Sequence, residues 1–530
     1  MRRSLYIVCL CFLALRATAV PARREGFVRT GADGKEHTVY LHGNEYFHYM
    51  TDAEGVWLDE TTLAPLSEEQ KNARIQAGTQ ALAHRAPRQQ TGVGDQPNIA
   101  PRGLVILVSF SDVTFSTPRD TMDNMLNGAH YSRKYQYWNS DKKRVQVTAS
   151  GSARQYFQDQ SYGAYNPVFD VVGPVTVSKG YAYYGTNGSD GTIDQNAHEM
   201  VQEACAKAAN TGADFSQYDN DHDGYVDFVY LIYAGFGEAD GGGANTIWPH
   251  QSDVSYYGYK HNGKYIGRYA CGSEKNNISK VYDGIGTFCH EFSHVLGLPD
   301  LYETNRELQG LHTLFDWDVL DYGCYNNDSN TPPAYSAYER FYMGWLTPRL
   351  LSAPEYVTLH PMNEGQGESL MISTANTHNM VGWNPNPEKF YLLEVRKKEG
   401  WDKHLPGEGM LITKISFNQY RWQSNAVNCS TRYMGVDILE AQANSSRAGS
   451  ETDAYPAGAT EWTAYRQHEV TSITRTASDG CVRFSYRGAP GPAAIEEVES
   501  DKARWTKIIR DGQLVIVRDE KEYTVLGNRL

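Results

Sequence analysis

The chain has 530 residues, more than one ordinary hydrophobic core accommodates, so we expect several folding units, at least one of them of enzyme size. Its formal net charge is −14, and no run of lysine and arginine concentrates positive potential, which argues against a nucleic-acid-binding protein. The 37 tyrosines and 48 glycines favour strands, tight turns and shaped loops over a helical bundle.

The first nineteen residues are typical of a secretory signal peptide. Arg2 and Arg3 precede an apolar run over residues 5–15, and Ala17-Thr18-Ala19 supplies the small residues of a cleavage site. The apolar run is too short to span a bilayer, and no later run reaches spanning length. We therefore expect an extracellular protein that is secreted or held at the cell surface, and not an integral membrane protein.

Cys9 and Cys11 are lost with the signal peptide. The six cysteines that remain are Cys205, Cys271, Cys289, Cys324, Cys429 and Cys481. In an exported chain this even number permits up to three disulfides, whose pairing the sequence does not give, and buried free thiols are the alternative.

Residues 20–100 are predicted to form a small polar unit followed by a connector. Strand-like stretches at 38–41 and 45–49 flank His42-Gly43-Asn44, a sequence typical of a turn. Residues 81–101 are rich in Ala, Gln, Pro and Gly and carry arginines. This composition indicates an exposed segment that is open to proteolytic cleavage.

Residues 101–350 are predicted to form an α/β domain. The continuous apolar run 104–108 is typical of a central strand that is covered on both faces, and 226–234 is predicted to be a second core strand. Between them, residues 194–209 place apolar side chains at helical spacing. We therefore expect helices packed against a mixed, twisted sheet.

Within this domain, the segment that begins at Asp219 has the pattern of a calcium-binding loop. Carboxylates stand at alternate positions and a glycine at the sixth, as is usual where oxygen ligands surround Ca²⁺. The predicted calcium ligands are Asp219, Asp221, Asp223, Tyr225 and Asp227. The loop is not an EF-hand, because an apolar strand follows it and no glutamate stands at its twelfth position. The alternative is a solvated acidic turn, in which the clustered carboxylates would repel one another.

Residues 351–488 are predicted to form a β-rich, sandwich-like domain. Helical signals fade after Trp345. Short strand-like stretches such as 389–395 and 410–415 then stand between turns rich in Gly, Pro and Asn.

Residues 489–530 are predicted to be a linker and a C-terminal tail. In the tail, 513–517 and 523–526 are expected to pair as a hairpin. The tail is similar to the C-terminal sorting segments of some exported bacterial proteins.

The run His290-Glu291-Phe292-Ser293-His294 places two histidines four residues apart. On a helix these positions lie on one face, so both imidazoles can reach a single metal ion while Glu291 presents a carboxylate beside it. This spacing is the one that a hydrolytic zinc site requires, and it predicts Zn²⁺ as a cofactor. A buried helix with two hydrogen-bonded histidines is the alternative.

A catalytic zinc takes three protein ligands and keeps one position open. Gly297 permits a sharp turn at the helix end and Pro299 prevents the helix from resuming, so the returning chain can supply Asp300 as the third ligand. Glu339, on the helix-like stretch 334–343, is the second candidate for this position. We favour Asp300, because the turn that leads to it has little other purpose.

With zinc bound, these residues predict a hydrolase. The ion lowers the pKa of its water, Glu291 accepts the proton as the water attacks a carbonyl, and Glu291 passes it to the leaving nitrogen. Residues 20–100 are then interpreted as a propeptide that acts as an intramolecular inhibitor, or alternatively as a tethered accessory module. They contain no cysteine to cap the metal, and Glu45, His48 and Asp52 are the candidates for that role.

These motifs resemble the immune inhibitor A family of secreted bacterial metallopeptidases, which is metzincin-like. The resemblance is carried by residues 290–302, 316–323 and 338–346, and it extends over most of 103–488. It implies a zincin-like catalytic domain, with an active-site helix, for residues 101–350. It also implies an endopeptidase that acts on protein or peptide substrates.

Carried over to this sequence, the resemblance implies zinc on His290 and His294, Glu291 as the base and, by analogy with metzincins, Asp300 as the third ligand. Metzincins have a methionine in a turn beneath the zinc, and the matching residue here is Leu320. This volume-conserving replacement should cost little.

Tyr322 is the second predicted catalytic residue. It lies where several metzincins place a tyrosine that approaches the zinc or the oxyanion, and a buried core tyrosine is the alternative.

The leading hypothesis is therefore a secreted zinc endopeptidase, stabilised by calcium and made as a zymogen. One alternative is a catalytically silent surface or adhesion protein that retains the protease fold, with Leu320 as a mark of decay. The intact His290, Glu291 and His294 argue against it. A second alternative is a zinc hydrolase that acts on a non-peptide amide.

Overall fold

In the computed structural model, the residues described are 18–83, 101–188, 193–304, 313–442, 449–491, 506–510, 513–518, 521–524 and 530, except 33, 46, 364, 366, 376 and 431. The signal peptide up to residue 17 and most of the predicted connector lie outside them. Within the described ranges, no helix combines the length and the apolar character that crossing a bilayer requires.

The N-terminal unit is a small antiparallel sheet with one helix. Its elements are β1 Thr18–Ala19, β2 Phe27–Thr30, β3 Glu36–Asn44, β4 Phe47–Thr51, β5 Trp57–Leu58 and α1 Glu68–Ala83. Strands β2 to β5 pair in sequence order, whereas β1 leaves this sheet and joins the next domain.

The turn predicted at His42-Gly43-Asn44 is wrong. These residues continue β3, in which Gly43 pairs with His48 of β4. The Asn44 side-chain oxygen accepts a hydrogen bond from the Phe47 amide at 3.2 Å. This side-chain bond closes the reversal between Asn44 and Phe47, after the end of β3, and thereby lengthens the strand.

The central domain is built on a six-stranded mixed sheet. The strands of this domain, in and outside that sheet, are β6 Arg102–Ser109, β7 Ser132–Trp138, β8 Arg144–Ser150, β9 Val168–Thr176, β10 Tyr225–Val226, β11 Val229–Phe236, β12 His250–Asp253, β13 Lys260–His261, β14 Lys264–Ile266 and β15 Arg268–Lys275. Its helices are α2 Arg119–Asn127, α3 Ala153–Gln160, α4 Tyr181–Tyr184, α5 Ala197–Asn210, α6 Gly286–Val295, α7 Asn326–Ser329 and α8 Ala337–Tyr342.

The sheet order is β1-β12-β15-β11-β6-β9. The predicted central strand is β6, whose residues 104–108 are fully buried between β9 and β11. The predicted helix at 194–209 is α5. The second core strand begins later than predicted, because residues 225–226 form the separate short strand β10, which pairs with β14.

Helix α6 packs against the sheet and carries the candidate site. Its Phe292 ring lies 4.7 Å from the ring of Phe228 and 5.1 Å from that of Phe169. Such aromatic contacts fix the rotation of the helix about its axis. The helix also contacts β15, β12 and β1 of the same sheet.

The C-terminal part is β-rich, as predicted. Its elements are β16 Arg349–Leu350, β17 Glu355–Leu359, β18 Leu370–Ile372, β19 Lys389–Arg396, β20 Gly409–Ser416, α9 Gln419–Gln423, β21 Val436–Ile438, β22 Val470–Arg475 and β23 Val482–Tyr486. A five-stranded sheet, β16-β18-β19-β20-β21, and a three-stranded sheet, β17-β23-β22, share a second hydrophobic cluster.

The described part of the tail is a three-stranded sheet of β24 Thr506–Arg510, β25 Gln513–Arg518 and β26 Lys521–Thr524. The predicted hairpin is confirmed as β25 and β26. The six cysteines outside the signal peptide are all free thiols in the structure.

Candidate metal centre

The histidine motif lies on α6, which is buried over its whole length. A Cβ atom at Gly286 would come within 1.8 Å of the Cys324 carbonyl oxygen, so the start of the helix can approach this chain only with glycine there. His290 and His294 lie one turn apart, with ring centroids separated by 4.7 Å. The predicted helical spacing therefore brings both imidazoles to one place.

Backbone carbonyls orient both imidazoles. His290 Nδ1 lies 2.7 Å from the Val319 oxygen, and His294 Nδ1 lies 2.8 Å from the Leu298 oxygen. Each bond requires the proton on Nδ1, which leaves Nε2 unprotonated, the form in which histidine binds a metal. Leu320 follows Val319 in this turn and is fully buried.

The chain reverses direction after α6 through a glycine turn. Gly297 has a φ of +108°, and the amides of Gly297 and the next residue bond to oxygens of the last helical turn at 3.0 and 3.1 Å. This Schellman ending carries Asp300 back to the helix. Asp300 Oδ1 lies 3.1 Å from His290 Nε2 and 3.0 Å from His294 Nε2.

The donor set fits a catalytic zinc. Two imidazole nitrogens and one carboxylate oxygen lie within 4.8 Å of one another, on side chains that are completely buried. His294 Nε2 has no hydrogen bond to any described residue. Buried polar atoms are rarely left without a partner, and two imidazole nitrogens with one carboxylate oxygen form a ligand set suited to a catalytic zinc.

Asn425 binds both the carboxylate and the backbone amide of Asp300, and it is a site residue that the sequence did not reveal. Its Nδ2 donates to Asp300 Oδ2, and its Oδ1 accepts the Asp300 amide at 2.7 Å. Asn425 follows α9 in the β-rich part, 125 residues further along the chain. No local spacing therefore connects the two residues, although the C-terminal part helps to build the site.

Glu339, the second candidate for the third ligand, is engaged elsewhere. Its Oε2 accepts the Ser336 amide at 2.6 Å, and its own amide donates to Ser336 Oγ at 3.3 Å. These two bonds form a capping box at the start of α8. The geometry therefore supports Asp300 as the third ligand.

The Glu291 carboxylate is completely buried next to this donor set. Its Oε1 accepts a hydrogen bond from the Val20 amide at 2.8 Å, and its Oε2 has no hydrogen-bond partner among the described residues. Burial, together with the charge of Asp300, raises the pKa of Glu291 well above its ordinary value. A carboxyl group in this state is suited to accept and return a proton.

The N-terminal segment that begins with β1 runs through the site as an extended chain. On one side of Glu291, β1 pairs with β12, the neighbouring strand of the central sheet. On the other side, the Val20 oxygen accepts a hydrogen bond from Trp248 Nε1 at 2.9 Å, and the Pro21 oxygen accepts one from the Tyr325 hydroxyl at 2.7 Å. A peptide backbone is therefore bound on both sides of the carboxylate.

Tyr302 is a second site residue that sequence reasoning missed. Its hydroxyl donates to the Ala19 carbonyl oxygen at 2.6 Å, and its ring lies 6.4 Å from that of His290. Ala19 precedes Val20, so one peptide unit contacts both Tyr302 and Glu291. Its position two residues after Asp300 is the sequence signal that could have pointed to it.

The contacts of Tyr322 do not support the catalytic role predicted for it. Its ring stacks on Phe315 at 5.8 Å and lies 4.2 Å from the Arg24 guanidinium. Burial raises the pKa of its hydroxyl above the ordinary value. Tyr302 has the contact that the sequence led us to expect of Tyr322.

The predicted calcium loop brings three carboxylates together. Oxygens of Asp219, Asp221 and Asp223 lie within 4.8 Å of one another. Lys264 Nζ lies 2.5 Å from Asp219 Oδ2 and neutralises part of their charge. An ion at this place would therefore compete with the lysine.

The other two predicted calcium ligands have different contacts. Asp227 Oδ2 accepts the Asn220 amide at 2.8 Å, and the Tyr225 amide donates to Asp223 Oδ1 at 2.7 Å. Asp227 therefore fixes the loop from within and does not join the three grouped carboxylates.

Comparison with known proteins agrees with this site. Residues 98–345 match the catalytic domain of immune inhibitor A peptidase M6. Pre-pro-metalloprotease PrtV of Vibrio cholerae is 26% identical over 335 residues, which cover 55% of this chain and 36% of that protein. Immune inhibitor A of Bacillus thuringiensis subsp. alesti is 26% identical over 272 residues, which cover 44% of this chain and 38% of that protein. The matched region thus spans little more than a third of either relative. Residues 98–345 are therefore similar to the catalytic domain of the immune inhibitor A metallopeptidases.

Proposed function

We propose that the chain is a secreted, zinc-dependent endopeptidase with a propeptide at 20–100, a zincin-like catalytic domain at 101–350 and a sandwich-like domain at 351–488. The path of the N-terminal segment carries this proposal. In the unprocessed chain, which still carries Thr18 and Ala19 of the predicted signal peptide, a continuous polypeptide is bound on both sides of Glu291. A cleft that accepts chain in both directions suits the hydrolysis of internal peptide bonds, whereas an exopeptidase closes one side.

The side chains around this segment have the positions that peptide hydrolysis needs. Zinc on His290, His294 and Asp300 would activate a water molecule and polarise the carbonyl that is attacked. Glu291 would hold the proton of the attacking water at Oε2, which has no hydrogen-bond partner among the described residues. Its other oxygen already accepts a hydrogen bond from a peptide nitrogen, that of Val20, and so can return the proton to a leaving nitrogen.

Tyr302→Phe is expected to lower kcat by about 10²- to 10³-fold with little change in KM, as loss of an oxyanion donor does. The reason is that its hydroxyl donates to the carbonyl oxygen of the peptide unit at Glu291. Steady-state kinetics and zinc content of the variant test this role. If kcat falls in Tyr322→Phe and not in Tyr302→Phe, the catalytic role belongs to Tyr322.

The N-terminal unit is proposed to keep the enzyme latent. If the signal peptide is removed after Ala19, the new α-amino group stands at the Val20 nitrogen, 2.8 Å from Glu291 Oε1, and pairs with the base. Of the three capping candidates, Glu45 lies 3.0 Å from the Tyr302 hydroxyl, and His48 Nε2 lies 3.3 Å from Glu238 Oε1.

The third capping candidate, Asp52, accepts amides of its own turn at 2.8 and 3.0 Å. None of the three candidates belongs to the zinc donor group.

Deleting residues 20–25 from the secreted precursor is expected to make it active before the connector is cut, because this segment occupies the cleft. Hydrolysis of a quenched fluorescent peptide by the uncut precursor measures the effect. Asp52→Ala, in a turn of the same unit, is the matched control. If the precursor that lacks residues 20–25 is as inactive as the wild-type precursor, latency arises elsewhere in the chain.

Calcium is proposed to bind at Asp219, Asp221 and Asp223. At about 100 times its Kd, calcium would then raise the free energy of unfolding by about 2.7 kcal/mol. Thermal unfolding with calcium, and with magnesium as control, should show this shift in the wild type and not in Asp221→Asn. An unchanged Tm in wild-type protein would make this segment a solvated acidic turn held by Lys264.

The proposed activity is tested by N-terminal sequencing of the active secreted form, followed by a peptide-library cleavage profile. We expect cleavage within 84–100 and products cut at internal bonds of the library. Release of terminal residues only, or hydrolysis restricted to non-peptide amides, would contradict an endopeptidase.

A further inference from the structure

An arginine of the N-terminal segment is bound in a buried acidic pocket of the catalytic domain. Arg23 lies three residues beyond Val20, and 2% of its side chain is exposed. Its Nη2 lies 2.6 Å from Asp328 Oδ1, on a side chain that is 1% exposed. The guanidinium stands 5.4 Å from the centroid of the Tyr325 ring. The Arg23 amide donates to the Ala239 oxygen at 2.8 Å, so its backbone is held as well.

The floor of this pocket is a strained turn that presents Asp328. Residues Asn327, Asp328 and Ser329 have φ values of +54°, +56° and +61°. Such a run of left-handed residues without glycine persists only where its surroundings enforce it, and strain of this kind is common at binding sites. The Asn330 amide group donates to the oxygens of Asp328 and Asn327 at 2.5 and 3.3 Å. The Tyr135 hydroxyl donates to Asp328 Oδ2 at 2.5 Å and leaves Oδ1 to the guanidinium.

Two further buried carboxylates act on the same guanidinium. Asp240 Oδ2 accepts the Asn277 amide at 2.6 Å, while Oδ1 is buried without a hydrogen bond to any described residue. Burial raises the pKa of Asp240 to about 7, although Arg23 opposes the shift. Asp283 is also buried, and Arg23 again opposes the rise in its pKa that burial causes.

Two cations of the catalytic domain border this pocket. Arg133 donates to the Asp283 carbonyl oxygen at 3.1 Å, and Lys280 donates to Asn277 Oδ1 at 2.7 Å. Among the described ion pairs, neither cation is joined to the carboxylates of Asp328, Asp240 or Asp283. Lys280 acts electrostatically on the Asp240 carboxylate, whereas the Asp328 carboxylate is paired with Arg23.

We infer that this pocket is a substrate subsite that takes the guanidinium or ammonium group of a basic side chain at the fourth residue beyond the cleaved bond. The register follows from the contact between Glu291 and the Val20 nitrogen, and the inference rests on the proposed function. The buried Asp328 carboxylate and the Tyr325 ring belong to the catalytic domain. Arg23 leaves with the propeptide, together with Glu25, whose Oε2 lies 3.1 Å from Arg23 Nε. The departure of Arg23 removes the cation that is paired with the buried Asp328 carboxylate. A buried charge without its partner is a costly state, which a basic substrate side chain relieves.

The next residue provides an internal comparison. Arg24 Nη2 lies 2.5 Å from Asp316 Oδ1, but the two side chains are 40% and 34% exposed. Exposed ion pairs contribute little to binding, because water screens them. The fifth position should therefore discriminate weakly between charged and neutral side chains.

Binding of a short peptide tests the subsite. The probe is Val-Pro-Ala-Arg-Arg-Glu-Gly, the sequence of residues 20–26, titrated into zinc-loaded protein from which the propeptide has been cleaved and removed. Citrulline, a neutral analogue of similar shape, replaces the arginine at the fourth or the fifth position. We expect Kd to rise by about 10- to 100-fold for citrulline at the fourth position. At the fifth position the rise should stay below about fivefold.

The variants Asp328→Asn and Asp316→Asn form the matched pair. For Asp328→Asn, the ratio of the Kd for the peptide with citrulline at the fourth position to the Kd for the arginine peptide should fall below about fivefold. Asp316→Asn should leave this ratio unchanged. The wild-type comparison decides the question even if a variant does not fold: equal Kd values for arginine and citrulline would overturn the subsite. If the protein hydrolyses peptides but binds arginine and citrulline at the fourth position equally well, the subsite alone is refuted. If it prefers arginine there but hydrolyses no peptide, the proposed function alone is refuted.

Discussion

Glu291→Gln is expected to lower kcat/KM for peptide hydrolysis by about 10²- to 10⁴-fold, the contribution of a general base. The two side chains have nearly the same shape, so the buried position remains filled. Glutamine, however, cannot accept the proton of the attacking water. Glu291 is not one of the three grouped donors, so the zinc content of the variant should equal that of the wild type.

Glu339→Gln is the matched control for this change. It alters another completely buried glutamate, and glutamine at this position retains a capping box. We expect it to keep its activity. Undiminished proteolysis by Glu291→Gln would refute the proposed mechanism.

Asp300→Ala is expected to lower the zinc affinity by more than about 100-fold, beyond the 10- to 100-fold typical of changes around the ligands. Its Oδ1 is the oxygen that faces both imidazole Nε2 atoms. Without it, two neutral imidazoles remain, with no negative charge to favour the ion. Competition with a fluorescent zinc chelator measures the affinity.

Two further variants test whether neighbouring residues contribute to zinc binding. Asn425→Ala removes the group that orients the Asp300 carboxylate, and it should weaken zinc binding by about 10- to 100-fold. Glu339→Ala should lower the stability through loss of the cap and leave zinc in place. Loss of zinc from Glu339→Ala but not from Asp300→Ala would reverse the assignment.

The local parts of the site could be predicted because they depend on a few consecutive residues. The helical repeat brings His290 and His294 to one face, and the left-handed conformation of Gly297 explains how Asp300 returns to them. The turn that brings Asp300 to His290 is local as well, since the two residues are ten positions apart.

Contacts between distant segments could not be predicted. Asn425 is 125 residues from Asp300, and Val20 is 271 residues from Glu291. Only the assembled fold places these residues together. A single sequence contains no periodicity that relates them.

The fold shows the same division between local and distant effects. The buried strand β6 and the helix α5 follow directly from hydrophobic patterns. The β3–β4 turn was misplaced because one side-chain bond, from the Phe47 amide to Asn44, outweighed the turn preference of His42-Gly43-Asn44. The tyrosine at the site was misassigned because family analogy pointed to Tyr322, whereas the contact belongs to Tyr302.

The most direct test combines zinc analysis and proteolysis of the processed protein, from which the propeptide has been removed. We expect about one zinc per chain at the catalytic site and hydrolysis of casein. Activity should be lost with a zinc chelator and restored by zinc. A folded, processed and zinc-loaded protein that cleaves no polypeptide would contradict the proposed endopeptidase.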